Sequence, residues 1–132
     1  ATPKNLNAVT PKDLVFEITS EVPDKMYEGL ILTYRISPMV NIKLNWCTEI
    51  THIRDKQFFV DEQRKGPYKI WHHEHHFKAV EGGVLMTDLL HYDIGMSFLG
   101  WIAGKVFVHN KVKQIFEYRK QSLDEYFQTK RK

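Results

Sequence analysis

Four of the seven histidines in this 132-residue chain lie within five positions, in the segment HHEHH at 72–76. Imidazole side chains at that density can bind a metal ion, act as a general acid–base pair, or supply polar groups to a binding pocket. The surrounding segment, 68–80, is rich in aromatic residues and is predicted to be a β-strand. The choice among these chemistries depends on which histidines share a face of that strand.

Side chains alternate between the two faces of a strand, so the histidine segment must divide into two sets. His73 and His75 share a face with the bulky residues Trp71 and Phe77, and a face of that composition is expected to be buried. The opposite face is charged and titratable and is predicted to face solvent; it carries His72, Glu74 and His76. Only half of the cluster is therefore available to an interior site.

The next strand, 83–94, supplies a carboxylate partner. Glu81 and Gly82 are predicted to form a two-residue turn, which sets His75 opposite Asp88. A turn centred one residue later would shift the register by two and leave the faces unchanged. Buried imidazoles and carboxylates are costly unless they are paired, so we predict a hydrogen bond between His75 and Asp88. That bond would raise the pKa of the imidazole and lower the pKa of the carboxylate.

Three functions and one structural role suit the inward-facing polar residues. A binding pocket is favoured, because small-molecule sites are mostly apolar with a few polar groups. General acid–base chemistry by His75 and Asp88 comes second, and no nucleophile stands out, since Cys47 alternates out of phase with Trp46. A metal site comes third, with His73 and His75 on one face and Asp88 as third ligand, because no second ligand pair is present. The remaining alternative is a satisfied polar network that only fixes strand register.

Six predicted strands and one predicted helix position these residues. Short turns separate the strands, as is typical of an antiparallel sheet; they span 14–20, 29–37, 41–53, 56–63, 68–80 and 83–94. Residues 97–128 lack proline and repeat apolar residues every three or four positions, which predicts a helix of about 30 residues, or about 45 Å. A helix of that length must lay its apolar stripe on the sheet. The predicted fold class is therefore α+β, with one curved antiparallel sheet wrapped around one long C-terminal helix.

Length and composition limit the class of protein. A chain of 132 residues, 42% of them hydrophobic, is long enough for one domain and too short for two. The net charge of +3 and the scattered lysines do not form the basic surface that nucleic-acid binding requires. Cys47 is the single cysteine and cannot form an internal disulfide, which predicts a cytoplasmic location. No run of about 18 apolar residues is present, so no stable membrane insertion is expected.

Four segments carry a family resemblance: NLNAVTP at 5–11, FVDEQRKGPYKIWHHEHHF at 59–77, MTDLLHY at 86–92 and IFEYR at 115–119. They resemble a bacterial branch, without an assigned function, of the START-like, polyketide-cyclase-like (SRPBCC) ligand-binding superfamily. The resemblance covers nearly the whole chain and implies a helix-grip fold with a cavity between sheet and helix. Family members begin with a strand and a short helix ahead of the first of these segments. Residues 1–132 are therefore expected to form a single domain without that strand and the start of that helix.

The resemblance also favours an inward orientation for Asp61 and Gln63, whose face depends on the loop at 64–67. Arg119, on the apolar stripe of the helix, either anchors an anionic ligand group or pairs with a sheet carboxylate such as Asp61, and the structural pair is preferred. Gly104 removes side-chain volume beside the sheet, either for close packing or to leave space for a ligand.

Together these observations predict a protein that binds a small hydrophobic or amphipathic molecule between sheet and helix. The alternative is a cyclase/dehydratase-like or hydrolase-like enzyme that uses His75 and Asp88. No cofactor and no metal is assigned, and a homodimer is left open. The predicted ligand-binding residues are Trp46, Asp61, Gln63, Trp71, His73, His75, Met86, Asp88, Tyr92, Gly104 and Arg119.

Overall fold

The computed structural model describes residues 15–39, 42–94 and 103–129. The strands are β1 Val15–Ile18, β2 Leu30–Met39, β3 Ile42–Arg54, β4 Phe58–Lys65, β5 Ile70–Val80 and β6 Gly83–Asp93, and the helix is α1 Ala103–Thr129. Each strand pairs antiparallel with its neighbour in the chain, in the order β1-β2-β3-β4-β5-β6. The six predicted strands and the helix are thus present. The predicted helix start, at 97–102, lies outside the described residues.

Tight turns join the strands where the backbone enters the left-handed region. Gly82 has a φ of 74° in the β5–β6 turn, and Lys56 has a φ of 60° in the β3–β4 turn. The β5–β6 ladder pairs Val80 with Gly83, the register expected from a turn at 81–82. The predicted register and faces of β5 and β6 are confirmed.

A β-bulge in β3 changes which residues face the interior. The β3–β4 register shifts between Ile50 and His52, so Thr51 is an extra residue in the ladder. Beyond the bulge Ile53 packs against the core, whereas His52 is exposed. A bulge bends the strand and reverses the alternation. Simple alternation along β3 would have placed His52 inward instead.

The hydrophobic core is built by the first part of the sheet and the segment that precedes β2. Its buried members are Met26, Leu30, Leu32, Tyr34 and Ile50, and partly buried residues pack around them: Ile18, Ile36, Trp46, Ile53 and Phe59. Among the described side chains, none from α1 belongs to this cluster. The described core is therefore formed by residues of β1 to β4 and of the segment before β2.

The predicted helix-grip fold, a curved sheet wrapped around the helix, is wrong for this molecule. The structure is mostly a six-stranded antiparallel sheet, and α1 contacts it along β5 and β6. The physical reason lies in the helix surface: of its described side chains only Val112 is buried, because charged residues occupy much of that surface. Within the described ranges, no helix combines the length and the apolar composition needed to cross a lipid bilayer.

Candidate functional site

Two aspartates and two histidines form a closed ring of contacts on one face of β4, β5 and β6. Nε2 of His73 lies 2.9 Å from Oδ1 of Asp88, and its Nδ1 lies 3.4 Å from Oδ2 of Asp61. Nε2 of His75 lies 2.6 Å from Oδ2 of Asp61, and its Nδ1 lies 3.0 Å from Oδ1 of Asp88. Each imidazole thus stands between two carboxylates. These four residues are called the His–Asp cluster below.

Two of the four contacts in the His–Asp cluster are hydrogen bonds. A carboxylate can only accept, so Nε2–H of His73 donates to Asp88 and Nε2–H of His75 donates to Asp61. Both bonds run to the diagonal neighbour in the ladder rather than to the residue directly opposite. Nδ1 of His75 is buried and makes no hydrogen bond, despite its short distance to Asp88. The predicted His75–Asp88 hydrogen bond is therefore not formed, although the two residues are paired as predicted.

Aromatic rings lie against both imidazoles of the cluster and shield them from water. His73 and His75 are 3% and 6% exposed, with their rings 3.7 Å apart. Phe59 of β4 stacks on His75 with a centroid distance of 4.0 Å, and Phe116 of α1 meets His73 edge-on at 5.2 Å. Around side chains as buried as these two imidazoles, charge–charge interactions are strong, and an unpaired polar atom is costly.

Burial and neighbouring charges shift the pKa values of the cluster in different directions. Burial lowers the pKa of His73, reinforced by the positive charges of His75 and Arg119, despite the hydrogen bond to Asp88. Burial also disfavours protonation of His75, but the hydrogen bond to Asp61 and the nearby Asp88 carboxylate outweigh it and raise that pKa. Burial opposes ionisation of Asp88, yet the hydrogen bond from His73 and the charges of His75 and Arg119 hold its pKa well below its usual range. These directions agree with those predicted for His75 and Asp88, but the leading partners are Asp61 for His75 and His73 for Asp88.

Arg119 brings a positive charge from the helix to this face. Its Nη1 lies 3.8 Å from Oδ1 of Asp88, its side chain is largely buried, and its guanidinium lies over the ring of Phe116. Its Nε is buried without a hydrogen-bond partner. The preferred structural pairing with a sheet carboxylate is therefore present, but the partner is Asp88 and not Asp61.

A groove of about 330 Å³ lies between β6 and α1. Its lining is mostly apolar and consists of Asp88, Leu90, Tyr92, His109, Val112, Lys113 and Phe116. The Tyr92 hydroxyl and Nδ1 of His109 are hydrogen-bonded at 2.9 Å, which ties the helix to β6 beside the groove. Asp88 belongs both to the groove and to the His–Asp cluster. The groove therefore has a mostly apolar wall with one carboxylate, and that carboxylate also contacts His73, His75 and Arg119.

A second group on the same face has a structural role. The rings of Trp46 and Trp71 are 5.1 Å apart, and Tyr68 lies within 5.4 Å of both. Nε2 of Gln63 donates to the carbonyl of Tyr68 at 2.6 Å, and its Oε1 accepts from the Tyr68 N–H at 3.4 Å. Gln63 thus holds the β4–β5 loop. Its inward orientation is as expected, but it does not line the groove.

The opposite face of β5 carries the remaining histidines of the segment, as predicted. His72 contacts Glu62 at 2.9 Å, and His76 contacts Glu74 at 2.8 Å. The hydrogen bond from His76 lowers the pKa of the Glu74 carboxyl. Arg64 extends this surface network through contacts with Glu62 and with Glu49. Part of the density of histidines is therefore explained by hydrogen bonds on the outer face of the sheet.

The predicted site residues divide among these environments. Asp88 and Tyr92 line the groove, Asp61, His73, His75 and Arg119 surround Asp88, and Met86 lies further along the same face, paired with Phe77. The surroundings of Gly104 fall outside the described residues. The groove residues absent from the predicted set are Leu90, His109, Val112, Lys113 and Phe116. The alternation that selects Asp88 and Tyr92 also selects Leu90. For the helix residues the sequence offered only the three- and four-residue spacing of apolar side chains, which does not identify the ones that line a groove.

Comparisons with known proteins give one likeness in structure. No protein-family model matches the sequence, and no curated protein matches it. The solved structure of TTHA0849 from Thermus thermophilus is similar to it, with a TM-score of 0.63 over 92% of this chain and 82% of that one. The two sequences are 17% identical, so the likeness shows a shared fold and nothing about activity.

Proposed function

We propose that the protein binds a small amphipathic molecule in the groove between β6 and α1 and releases it unchanged. The observation that carries this proposal is the groove itself, a mostly apolar cleft of about 330 Å³. Its wall contains one carboxylate, Asp88, which also contacts His73 of the His–Asp cluster. Small-molecule sites have volumes of roughly 300–1,000 Å³ and combine apolar walls with a few placed polar groups.

The groove lining indicates the chemistry of the ligand. Leu90, Val112 and Phe116 provide the apolar surface against which a hydrocarbon or aromatic body packs. Asp88 is a hydrogen-bond acceptor held in position by His73, which suits a hydroxyl or amine on the ligand. Lys113 lies at the exposed margin and suits an anionic group that stays partly in water. Such a molecule is small, mostly apolar, and polar at its ends.

An enzyme of the cyclase, dehydratase or hydrolase type is the second candidate. The observation in its favour is that His73 and His75 lie in contact with pKa values shifted in opposite directions, an arrangement found in acid–base pairs. The groove weakens this candidate, because neither imidazole is among the described residues that line it. Asp88 does line it, but a carboxylate with a pKa held low is a weak base. We therefore rank binding above catalysis.

The proposal extends to the superfamily, the cellular location and the partners of the protein. The resemblance of segment 59–92 to the START-like superfamily supports ligand binding, since that superfamily is known for it. A cytoplasmic location is proposed from the single cysteine. Nucleic acid is not proposed as a partner, and self-association of the chain is left open.

Two neighbouring leucines of β6 offer a matched test of the groove. Leu90 lines it, whereas Leu89 points to the other face and is 45% exposed. Leu90→Trp should fill the groove and weaken binding of an anilinonaphthalene sulfonate probe by at least about tenfold, since lost apolar burial of this size is worth 1.4 kcal/mol or more. Leu89→Trp should leave the probe affinity unchanged. Equal affinities in both variants, with thermal melts confirming that each is folded, would rule out the groove as the binding site.

Catalysis is tested separately by mass spectrometry of the protein purified from its own host. A binder should release its organic ligand intact and unmodified when the protein is denatured. Recovery of two chemically related molecules that interconvert on incubation with the protein would favour the enzyme instead.

A further inference from the structure

We propose that Asp61, His73 and His75 form a binding site for a divalent transition-metal ion, with zinc as the best-suited ion. One ligand atom from each of the three residues lies within 4.8 Å of the others. Two imidazole nitrogens and a carboxylate oxygen are a common donor set for zinc in proteins, with a fourth position left for water or another ligand. This proposal does not depend on the nature of the groove ligand.

One carboxylate oxygen of Asp61 lies close to a ring nitrogen of each histidine. Its Oδ2 lies 3.4 Å from Nδ1 of His73 and 2.6 Å from Nε2 of His75. In tetrahedral coordination with metal–ligand distances of about 2.0–2.1 Å, neighbouring donors are separated by about 3.3 Å. The first contact already has that length, and the second must lengthen by less than about 1 Å to match this separation. A small adjustment of the His75 ring would therefore bring its contact with Asp61 to the tetrahedral separation, and the donor atoms of all three residues already lie within 4.8 Å of one another.

Asp88 acts in this site as the residue that orients both imidazoles. Metal-bound histidines commonly donate their other ring N–H to a carboxylate, which fixes the tautomer and the ring orientation. Nε2 of His73 donates to Oδ1 of Asp88 at 2.9 Å, and Nδ1 of His75 lies 3.0 Å from the same oxygen. The sequence suggested Asp88 as the third metal ligand; the geometry gives that role to Asp61 and places Asp88 behind the histidines.

Two features of the His–Asp cluster are explained by a bound cation. With its proton on Nε2, a neutral His73 presents the lone pair of Nδ1 to the Asp61 carboxylate, so two electron-rich atoms face each other. Nδ1 of His75 is buried without a hydrogen bond, in a residue that is 6% exposed. A cation between the three donors removes the first conflict, and a turn of the ring can align Nδ1 with Asp88. Unsatisfied buried polar atoms in native structures call for such an explanation.

Two effects oppose metal binding and weaken the affinity for the ion. His75 must give up the proton on Nε2, because a metal ligand has to be deprotonated. Arg119 already places one positive charge near the cluster, but it contacts Asp88 and not the three proposed ligands. The two carboxylates of Asp61 and Asp88 offset that charge and compensate the incoming cation.

The first test is titration of the zinc-free wild-type chain with Zn²⁺ at neutral pH, by calorimetry and by competition with a chromophoric chelator. We expect one ion per chain, with a Kd on the order of 10⁻⁶ M or tighter. Histidine-ring ¹⁵N spectra of the same samples should show metal coordination at Nδ1 of His73 and Nε2 of His75. Because these spectra need no variant, the test holds even if substitutions in the cluster prevent folding.

Variants then assign the ligands. Asp61→Asn should weaken zinc binding by at least about 100-fold, and Asp88→Asn by about 10–100-fold, the range typical of residues that orient metal ligands. The matched control is the double variant His72→Gln/His76→Gln, which removes the two histidines on the outer face of β5 and should leave the affinity unchanged. No binding by the wild-type chain, ring signals that shift only for His72 and His76, or loss of binding in the double variant would each overturn the proposal.

Discussion

Nδ1 of His75 and Oδ1 of Asp88 lie 3.0 Å apart at directly paired positions of β5 and β6, yet no hydrogen bond joins them. His75 donates instead to Asp61, and Asp88 accepts from His73. Each carboxylate thus serves both imidazoles, and none of the possible pairs is independent of the rest. In such a network the effects of single substitutions are not additive.

We expect the energetic coupling of His75 to be larger with Asp61 than with Asp88. The reason is that only the Asp61 contact is a hydrogen bond. Double-mutant cycles of His75→Phe with Asp61→Asn and with Asp88→Asn, read from free energies of unfolding in the presence of a chelator, measure both couplings. A coupling of about 1–3 kcal/mol is expected for Asp61–His75, and a smaller one for Asp88–His75.

An exposed ion pair provides the reference for these cycles. Arg35 and Glu17 lie 3.3 Å apart with both side chains largely in solvent. Their coupling should stay below about 1 kcal/mol, because water and salt screen it. Equal coupling of His75 to both aspartates would contradict the hydrogen-bond assignment in the cluster.

The Tyr92–His109 hydrogen bond should hold the described start of α1 against the sheet. Tyr92→Phe removes the hydroxyl and keeps the ring, so we expect a loss of about 0.5–1.5 kcal/mol in the free energy of unfolding. Amide hydrogen exchange should accelerate in the helix around His109 and remain unchanged in β2 and β3. Tyr27→Phe, at a tyrosine that is 56% exposed, is the control and should change neither quantity. Unchanged exchange around His109 in Tyr92→Phe would show that the hydrogen bond does not hold the helix.

The pairing of β5 with β6 could be predicted from the sequence, because a short turn and the alternation of side chains determine it. The turn at Glu81 and Gly82 fixes the β5–β6 register, and the two-residue period then assigns each side chain to a face. That was sufficient to separate His73 and His75 from their outward-facing neighbours. The hydrogen-bond partners were not predictable in the same way. His73 bonds to a diagonal neighbour on β6 rather than to the residue opposite, and the partner of His75 lies on β4, whose register rests on a loop and a bulge.

The packing of the helix could not be predicted from its periodicity. A repeat of apolar residues at three and four positions indicates a helix but does not say how much of the stripe is buried. In the structure Val112 is the buried residue among the described side chains of α1, and none of those side chains belongs to the core cluster of the sheet. The assumption that a long helix must be wrapped by the sheet led to the wrong fold class. The likeness to TTHA0849 is a likeness in the arrangement of strands and helix alone.

Gly66 and Gly83 should respond differently to alanine. A Cβ at Gly66 would overlap the side-chain amide of Gln63, which holds the β4–β5 loop through Tyr68. Gly66→Ala should therefore lower the free energy of unfolding by about 1–3 kcal/mol, the usual cost of a forced steric rearrangement. A Cβ at Gly83 would meet nothing within 4 Å, so Gly83→Ala should change stability by less than about 0.5 kcal/mol. Equal effects in the two variants would show that Gln63 can move aside freely.

Stability should fall in alkaline solution because Tyr68 stays protonated in the folded chain. Burial raises its pKa from 10.0 to about 12. Between those values the unfolded chain loses the phenolic proton while the folded chain keeps it. The free energy of unfolding therefore decreases by up to about 1.4 kcal/mol per pH unit for this tyrosine. Burial also raises the pKa of Tyr34, which adds to the slope.

Denaturant titrations from about pH 9 to pH 12, compared between the wild-type chain and Tyr68→Phe, isolate the contribution of Tyr68. The substitution keeps the ring contacts with Trp46 and Trp71 and removes the titrating hydroxyl. We expect the variant to lose less stability than the wild-type chain above about pH 10 and to match its slope below that. The ultraviolet absorbance of tyrosinate, followed in parallel, should show fewer groups titrating late in the folded variant. Identical slopes in both proteins would mean that water reaches the Tyr68 hydroxyl, and that the aromatic group around Trp46 and Trp71 is more open than its ring distances indicate.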